Sequence, residues 1–292
     1  MAFSEEQLQK FHRDGYLIIP DFLSRETTDK LRSKVSTMLN EFDLSSHPMT
    51  KFSTGEKSAH VGDDYFLESN DKVRFFFEEG AFNEAGELTK SKDKAINKIG
   101  HALHDKDEDF RRISTNDEIV SIARALEYGD PRVLQSMIIC KQPEIGGAVP
   151  SHQDSVFLYT DKPSAVGFWF ALEDCTRTNG CLSFAPGTHK SCAISKRFVR
   201  DPKGTGTTFV NVPGVQPYQE PSDDAFVVEE CRAGSMVLIH GSVLHKSEAN
   251  KSLKSRYIYT FHMIDVDSSR GQVYDEKNWL QPPAQGFTKL FA

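Results

Sequence analysis

The tripeptide His152-Gln153-Asp154 sets an imidazole and a carboxylate two residues apart. On an extended strand, residues i and i+2 point to the same face, so this pair can hold one metal ion between them. His245 can supply a third ligand, and Arg256 follows it by eleven residues. Two imidazoles and one carboxylate occupy one face of an octahedron and leave the opposite positions open, the ligand set of non-haem Fe(II) oxygenases. Splitting O2 also needs a two-electron donor. 2-Oxoglutarate supplies one by chelating the metal through its 2-oxo and 1-carboxylate groups. Its far carboxylate then needs a cation, and arginine offers a bidentate, charge-assisted pair. The dipeptide spacing alone is weak: with ten histidines in the chain, roughly one His-x-Asp is expected by chance at average composition. A second one is present at His12-Arg13-Asp14. It falls in the last turn of a predicted helix, where i and i+2 face different directions, and is read as a decoy.

The elements that must position these residues change character along the chain. From residue 133 onward, strand-like runs at 133–141, 156–159, 166–172, 182–185, 225–228, 235–240 and 256–263 alternate with Gly, Pro, Asn and Asp. Short strands punctuated by turns predict an antiparallel barrel, sandwich or jelly roll. The stretch 200–221, rich in Gly, Pro and Thr, reads as a long inserted loop. The N-terminal part reads differently. Ser4 with Gln7 forms a capping box, and Gly15 ends that helix. Residues 16–19 are a short buried strand. Ser24 caps a longer helix whose Leu31, Val35, Met38, Leu39 and Phe42 step by three and four. Residues 45–70 are polar and irregular, 73–77 a strand, 83–86 a turn, and 93–104 and 113–126 helices. The whole chain, 1–292, reads as one domain: a helical part over about 1–130 supports a mainly β core over about 131–265.

Four further histidines read as structural. His101 and His104 sit in the predicted 93–104 helix and do not close a metal site alone. His189 shapes the turn at Pro186-Gly187. His240, five residues before His245, would face the opposite side of a straight strand.

Bulk properties bound the function. With 38% apolar and 26% charged residues the chain is an ordinary folded protein. A net charge of −7 argues against general nucleic-acid binding, which needs a basic surface. Five cysteines without a C-x-x-C pair argue against a disulfide framework or zinc finger and for a reducing compartment. The first residues lack the charged and apolar segments of a signal peptide. No apolar run approaches the length that spans a bilayer, and the last residues, Lys289-Leu290-Phe291-Ala292, do not match a peroxisomal tripeptide. The expectation is a cytoplasmic monomer acting on a small molecule, with no nucleic-acid partner and no membrane.

Taken together, His152-Gln153-Asp154, the run Asn179-Gly180-Cys181-Leu182-Ser183-Phe184-Ala185-Pro186-Gly187-Thr188-His189, and His245 with Arg256 resemble the phytanoyl-CoA dioxygenase family. The similarity reaches the N-terminus through Asp14-Gly15-Tyr16. Arg74-Phe75-Phe76-Phe77-Glu78 and Asn97-Lys98-Ile99-Gly100-His101-Ala102-Leu103-His104 look closer still to one branch of the family. The resemblance implies a double-stranded β-helix, or jelly roll, in a mixed α/β fold. It implies Fe(II) on His152, Asp154 and His245, with 2-oxoglutarate, O2 and ascorbate as an auxiliary. It also implies that Lys98, Met137, Trp169 and Arg256 contact the 2-oxoglutarate. Without it, Met137 and Trp169 read as core packing and Lys98 as a solvated helix lysine. The reaction implied is oxidative decarboxylation of 2-oxoglutarate to succinate and CO2, coupled to hydroxylation of an organic substrate.

The family name suggests an acyl-CoA hydroxylated next to its carbonyl. Lys196, Arg197, Arg200 and Lys203 could serve the CoA phosphates, though a basic run is more often a solvated surface. The branch resembled differs from the enzyme that gives the family its name, so the substrate is not carried over. Two rivals belong to other classes. A jelly-roll metal-binding protein without oxygenation leaves Arg256 unexplained. An inactive binding module predicts a damaged ligand set, whereas all three ligands are intact.

Overall fold

The computed structural model describes residues 3–52, 64–204 and 206–291. Helix α1 (Glu5–Asp14) opens with the capping box of Ser4 and Gln7 and closes at Gly15, whose φ is 85°. Glycine is required there twice over. The left-handed backbone disfavours a side chain, and a Cβ would lie 2.5 Å from His189 Nδ1. The His189 ring meets the His12 carbonyl through Nε2 at 3.0 Å, which fastens α1 to the turn after Pro186. Helix α2 (Arg25–Glu41), capped by Ser24, buries Leu31, Val35 and Leu39.

Numbered along the chain, the first strands are β1 (Tyr16–Ile19), β2 (Lys51–Phe52), β3 (Val73–Glu78), β4 (Ile96–His101) and β5 (Pro131–Lys141). They are followed by β6 (Val149–His152), β7 (Val166–Ala171), β8 (Leu182–Phe184), β9 (Lys196–Arg200) and β10 (Thr207–Asn211). The last are β11 (Val227–Glu229), β12 (Met236–His240), β13 (His245–Ser247), β14 (Arg256–Asp265) and β15 (Thr288–Lys289). A large sheet runs β1-β12-β7-β14-β5-β4-β3-β2, with β15 also on β5. A smaller sheet runs β11-β8-β13-β6. These two sheets make the jelly roll, and β9 with β10 forms a separate hairpin.

The two faces of the large sheet do different jobs. Outward residues Ile138, Cys140, Phe168, Phe170, Leu238, Tyr259 and Phe261 join Leu31, Val35 and Leu39 in the largest apolar cluster. Inward residues Trp169, Ala171, Val237, Ile239 and Ile258 pack with Phe184 of the small sheet. Strand β14 alternates cleanly between the two, as the period of two requires.

Several expectations from the sequence are corrected. Residues 93–104 are not one helix: β4 occupies 96–101 and pairs with β3 and β5. The β-branched Ile96 and Ile99, both fully buried, fit a sheet interior, and long-range pairing overrides the helix pattern. The predicted strand at 156–159 is not a strand: residues 156 and 157 end a helical turn, Asp154–Phe157, and 158–159 are irregular. The helix expected over 113–126 is two, Glu108–Ser114 and Asp117–Ala125, because Asn116 caps the second through Ile119 N–H. The loop expected at 200–221 contains half of the β9–β10 hairpin. Beside the strands expected at 16–19 and 73–77, which form β1 and β3, the N-terminal part adds β2 and β4 to the large sheet. Of the irregular stretch 45–70, residues 53–63 lie outside the described residues. Among the described residues no helix is long and apolar enough to cross a membrane.

Candidate active site

His152 ends β6 and stands directly opposite His245 at the start of β13. The chain then leaves the strand. Asp154 opens the helical turn and is not on the same strand as His152, so the i, i+2 argument holds in outcome but not in mechanism. Gln153 fixes the corner by donating through Nε2 to the Cys192 and Ser242 carbonyls at 2.8 and 2.7 Å. Ser155 N–H donates to the Gly241 carbonyl at 2.8 Å. Asp154 Oδ1 then lies 3.5 Å from His152 Nε2 and 3.7 Å from His245 Nε2, and the three ligand atoms fall within 4.8 Å of one another.

The second nitrogen of each ring is already engaged. His152 Nδ1 meets the Pro150 carbonyl at 2.9 Å, and His245 Nδ1 meets the Val243 carbonyl at 3.1 Å. A carbonyl accepts only, so each Nδ1 carries a proton, and each Nε2 is the ring atom turned toward the cluster. Burial and the neighbouring His152 push His245 down to about 4, which keeps it neutral and able to ligate. Burial works against a charge on His152, but its hydrogen bond to Asp154 raises it. Burial would raise Asp154 too; the imidazoles of His245 and His262 overcome it and hold the carboxyl well below the usual range. Donors about 2.1 Å from one ion sit roughly 3 Å apart in cis positions. The two Asp154 separations exceed that by less than about 1 Å, and two imidazole nitrogens with one carboxylate oxygen suit a divalent first-row metal.

Sheet register brings the other expected residues to the same chamber. Across the inner face, Trp169 stands beside Thr260, Thr260 beside Met137, and Met137 beside Gly100. One row further, Ile258 neighbours Ile139, which neighbours Lys98. Arg256 neighbours Lys141. All of Lys98, Met137, Trp169, Arg256 and the three ligand candidates line one cavity of about 990 Å³. Arg256 is 2% exposed. Its guanidinium donates to the Gly180 carbonyl at 2.5 Å and sits 5.5 Å from the Trp169 ring centroid. Among the described residues no carboxylate pairs with it, which leaves a buried cation facing a cavity. Burial pushes Lys98 and Lys141 down to about 7 each; nearby Glu78 opposes the shift in Lys98, whereas Arg256 adds to that in Lys141. Burial raises Glu78.

Residues that the sequence reading missed also line the chamber: Glu78, Asn97, Gln135, Lys141, Ser247 and His262. Counting by twos along β14 from Arg256 reaches Thr260 and His262, so His262 carried a signal. The others depend on pairing between distant strands. His240 lies apart from the ligand cluster, its Nδ1 accepting from Ser242 N–H at 3.1 Å. His104 meets Ser136 Oγ at 2.8 Å and His101 meets Ser69 Oγ at 2.6 Å, which fits structural roles. In the basic run, Arg197 pairs with Asp275 and Arg200 donates to the Trp279 and Leu67 carbonyls.

Comparison with known proteins agrees with this geometry. A family profile described as phytanoyl-CoA dioxygenase (PhyH) matches residues 11–258. The phytanoyl-CoA dioxygenase domain-containing protein 1 homolog of Caenorhabditis elegans is 43% identical over 275 residues, covering 94% of each chain. The phytanoyl-CoA dioxygenase domain-containing protein 1 of Bos taurus is 43% identical over 297 residues, covering 99% of each. Among solved structures, the epimerase SnoN in complex with Fe3+, alpha ketoglutarate and nogalamycin RO superposes with a TM-score of 0.60. At 16% identity over 98% of each chain, that likeness is one of fold.

Proposed function

We propose that the chain, which belongs to the phytanoyl-CoA dioxygenase family, is a non-haem iron, 2-oxoglutarate-dependent dioxygenase with the following role for each site residue. His152, Asp154 and His245 hold Fe(II). Arg256 pairs with the far carboxylate of 2-oxoglutarate, and Lys98 supports its charge. Iron with 2-oxoglutarate and O2 supplies the oxidising chemistry: 2-oxoglutarate leaves as succinate and CO2 while a C–H bond of an organic substrate is hydroxylated. The protein's part is to bind, orient and exclude water. His152 and His245 offer Nε2, each with its Nδ1 proton held by a carbonyl, and Asp154 brings the one negative charge. Trp169 and Met137, both under a tenth exposed, line the chamber.

The observation that carries this reading is the joint presence of the converged ligand set and a buried arginine with no carboxylate partner among the described residues. A metal-binding protein with no cosubstrate has no use for that cation. Phe157, Phe198, Phe209 and Tyr218 also line the cavity, which suits a small organic substrate with an apolar portion. The acyl-CoA alternative loses support because Arg197 and Arg200 are engaged with Asp275 and with carbonyls. Five free cysteines and a net charge of −7 support a cytoplasmic monomer with a small-molecule substrate and no nucleic acid, and ascorbate serves as auxiliary reductant.

The test is succinate release from 2-oxoglutarate with Fe(II), in the wild type and in Asp154→Ala, screened with acyl-CoAs, free fatty acids and small carboxylic acids. Succinate is expected from the wild type and not from the variant. Equal turnover in both sinks the assignment, and stimulation by one substrate class identifies the target.

A further inference from the structure

Asp154 has two oxygens, and only one faces the histidine pair. Oδ1 lies near His152 and His245, whereas Oδ2 lies 3.2 Å from His262 Nε2. The other ring nitrogen of His262, Nδ1, lies 3.5 Å from Gln135 Nε2. One protonation pattern satisfies both contacts. The Gln135 amide N–H donates to Nδ1, the ring keeps its proton on Nε2, and that proton is donated to Oδ2. The reverse pattern would set a nitrogen lone pair against a carboxylate oxygen.

Three strands build this relay. Gln135 on β5, His262 on β14 and Gly167 on β7 are direct neighbours in one inward row. A Cβ at Gly167 would sit 3.3 Å from His262 Nε2 and 3.4 Å from Asp154 Oδ2, so the glycine leaves room for the bond that joins them. Gln135 and His262 are 5% and 7% exposed. The relay is thus shielded from water, where a charge-assisted hydrogen bond is strongest.

We infer that His262 is a positioning residue that holds Asp154 Oδ2 and makes the carboxylate a one-oxygen ligand. This rests on the metal reading above. A carboxylate free to turn can offer both oxygens to one ion and occupy two of six positions. With two histidines, that leaves too few for a bidentate cosubstrate and O2 together. Held through Oδ2, Asp154 takes one position and three remain.

Co(II) binding to the purified full chain, followed by calorimetry and by the visible spectrum that reports coordination number, tests this. His262→Leu should weaken Co(II) binding by roughly 10–100-fold, the usual effect of losing such a partner, and change the spectrum. His262→Gln, which keeps an N–H donor near the position of Nε2, should restore most of the affinity, although a role in packing alone would not favour glutamine over leucine. Gly167→Ala, which crowds the same bond, should also weaken binding and keeps the test available if His262→Leu does not fold. Wild-type affinity and spectrum in His262→Leu, or in Gly167→Ala where the leucine variant is unfolded, overturns the inference alone. Equal losses in His262→Leu and His262→Gln overturn it as well. A wild type that binds no Co(II), or an Asp154→Ala that binds as well as wild type, overturns the metal reading beneath it.

Discussion

Arg256→Met separates the cosubstrate site from the fold. The guanidinium is buried at 2% exposure, donates to the Gly180 carbonyl, and otherwise faces the cavity. A hydrogen bond to a charged partner contributes about 1.5–3 kcal/mol, and a forked arginine–carboxylate pair makes two of them. Part of that is recovered when a ligand carboxylate rehydrates, so a loss of about 3 kcal/mol is a fair expectation. At 1.36 kcal/mol per decade this is on the order of a 100-fold rise in KM for 2-oxoglutarate. Stability should respond quite differently. Methionine removes a buried cation that has no carboxylate partner among the described residues, which favours the folded apoprotein, and it orphans the Gly180 carbonyl, which costs about 1–3 kcal/mol. These terms oppose, so Tm should stay near the wild-type value. The assay is succinate formation against 2-oxoglutarate concentration, paired with a thermal melt. A folded Arg256→Met with an unchanged KM refutes the claim that this arginine receives the cosubstrate's far carboxylate.

The depressed lysines make two opposite pH trends. Burial brings Lys98 down to about 7 in the free protein, so 2-oxoglutarate affinity should fall as pH rises through 7, with proton uptake on binding; calorimetry in buffers of different ionisation enthalpy reads this, and proton release would contradict it. In the same range the unfolded chain holds more protons on Lys98 and Lys141 than the folded apoprotein does. Apoprotein stability should therefore rise from pH 7 toward the ordinary lysine range, measured as the denaturation midpoint against pH; a fall traceable to these lysines through their Met variants would contradict the assignment. Gly241→Ala should destabilise, because its Cβ would sit 2.4 Å from both the Ala165 carbonyl oxygen and Ser155 Oγ; overpacking of that kind costs about 1–3 kcal/mol, and an unchanged urea midpoint would show that the Asp154 turn is looser than drawn.

How far the site was legible differs from residue to residue. The ligand trio and Arg256 were readable because chemistry restricts which side chains can hold an open-sided metal and a dicarboxylate. The local structure under them was less so: Asp154 sits on a helical turn, since Gln153 anchors the corner to carbonyls from two distant segments. Lys98 was named through family resemblance but placed on a helix. Its strand exists because β3 and β5 flank it, and neither pairing leaves a mark in the local pattern. His262 was within reach of counting by twos, but its purpose depends on Gln135 and Gly167, which are 127 and 95 residues away by position in the chain.

That dependence on register ties the chemistry to the helical layer. Along β14 the inward set is Arg256, Ile258, Thr260 and His262, and the outward set includes Tyr259, Phe261 and Met263. A slip of one residue exchanges the sets. It would place aromatic rings where the cosubstrate and Asp154 need a cation and a donor, and it would bury Arg256 and His262 under apolar side chains. The outward rings are held by full burial: Tyr259 and Phe261 are both 0% exposed. Phe261 stacks on Phe168 at 4.7 Å between centroids, and the Tyr259 hydroxyl bonds Ser114 Oγ at 2.6 Å. Burying one such ring contributes roughly 1.5–3 kcal/mol, and a slip would forfeit several at once. The apolar contact with the helices therefore does more than stabilise the sheet. It selects the one register in which residues from β4, β5, β7 and β14 meet the ligands carried by β6, β13 and the Asp154 turn.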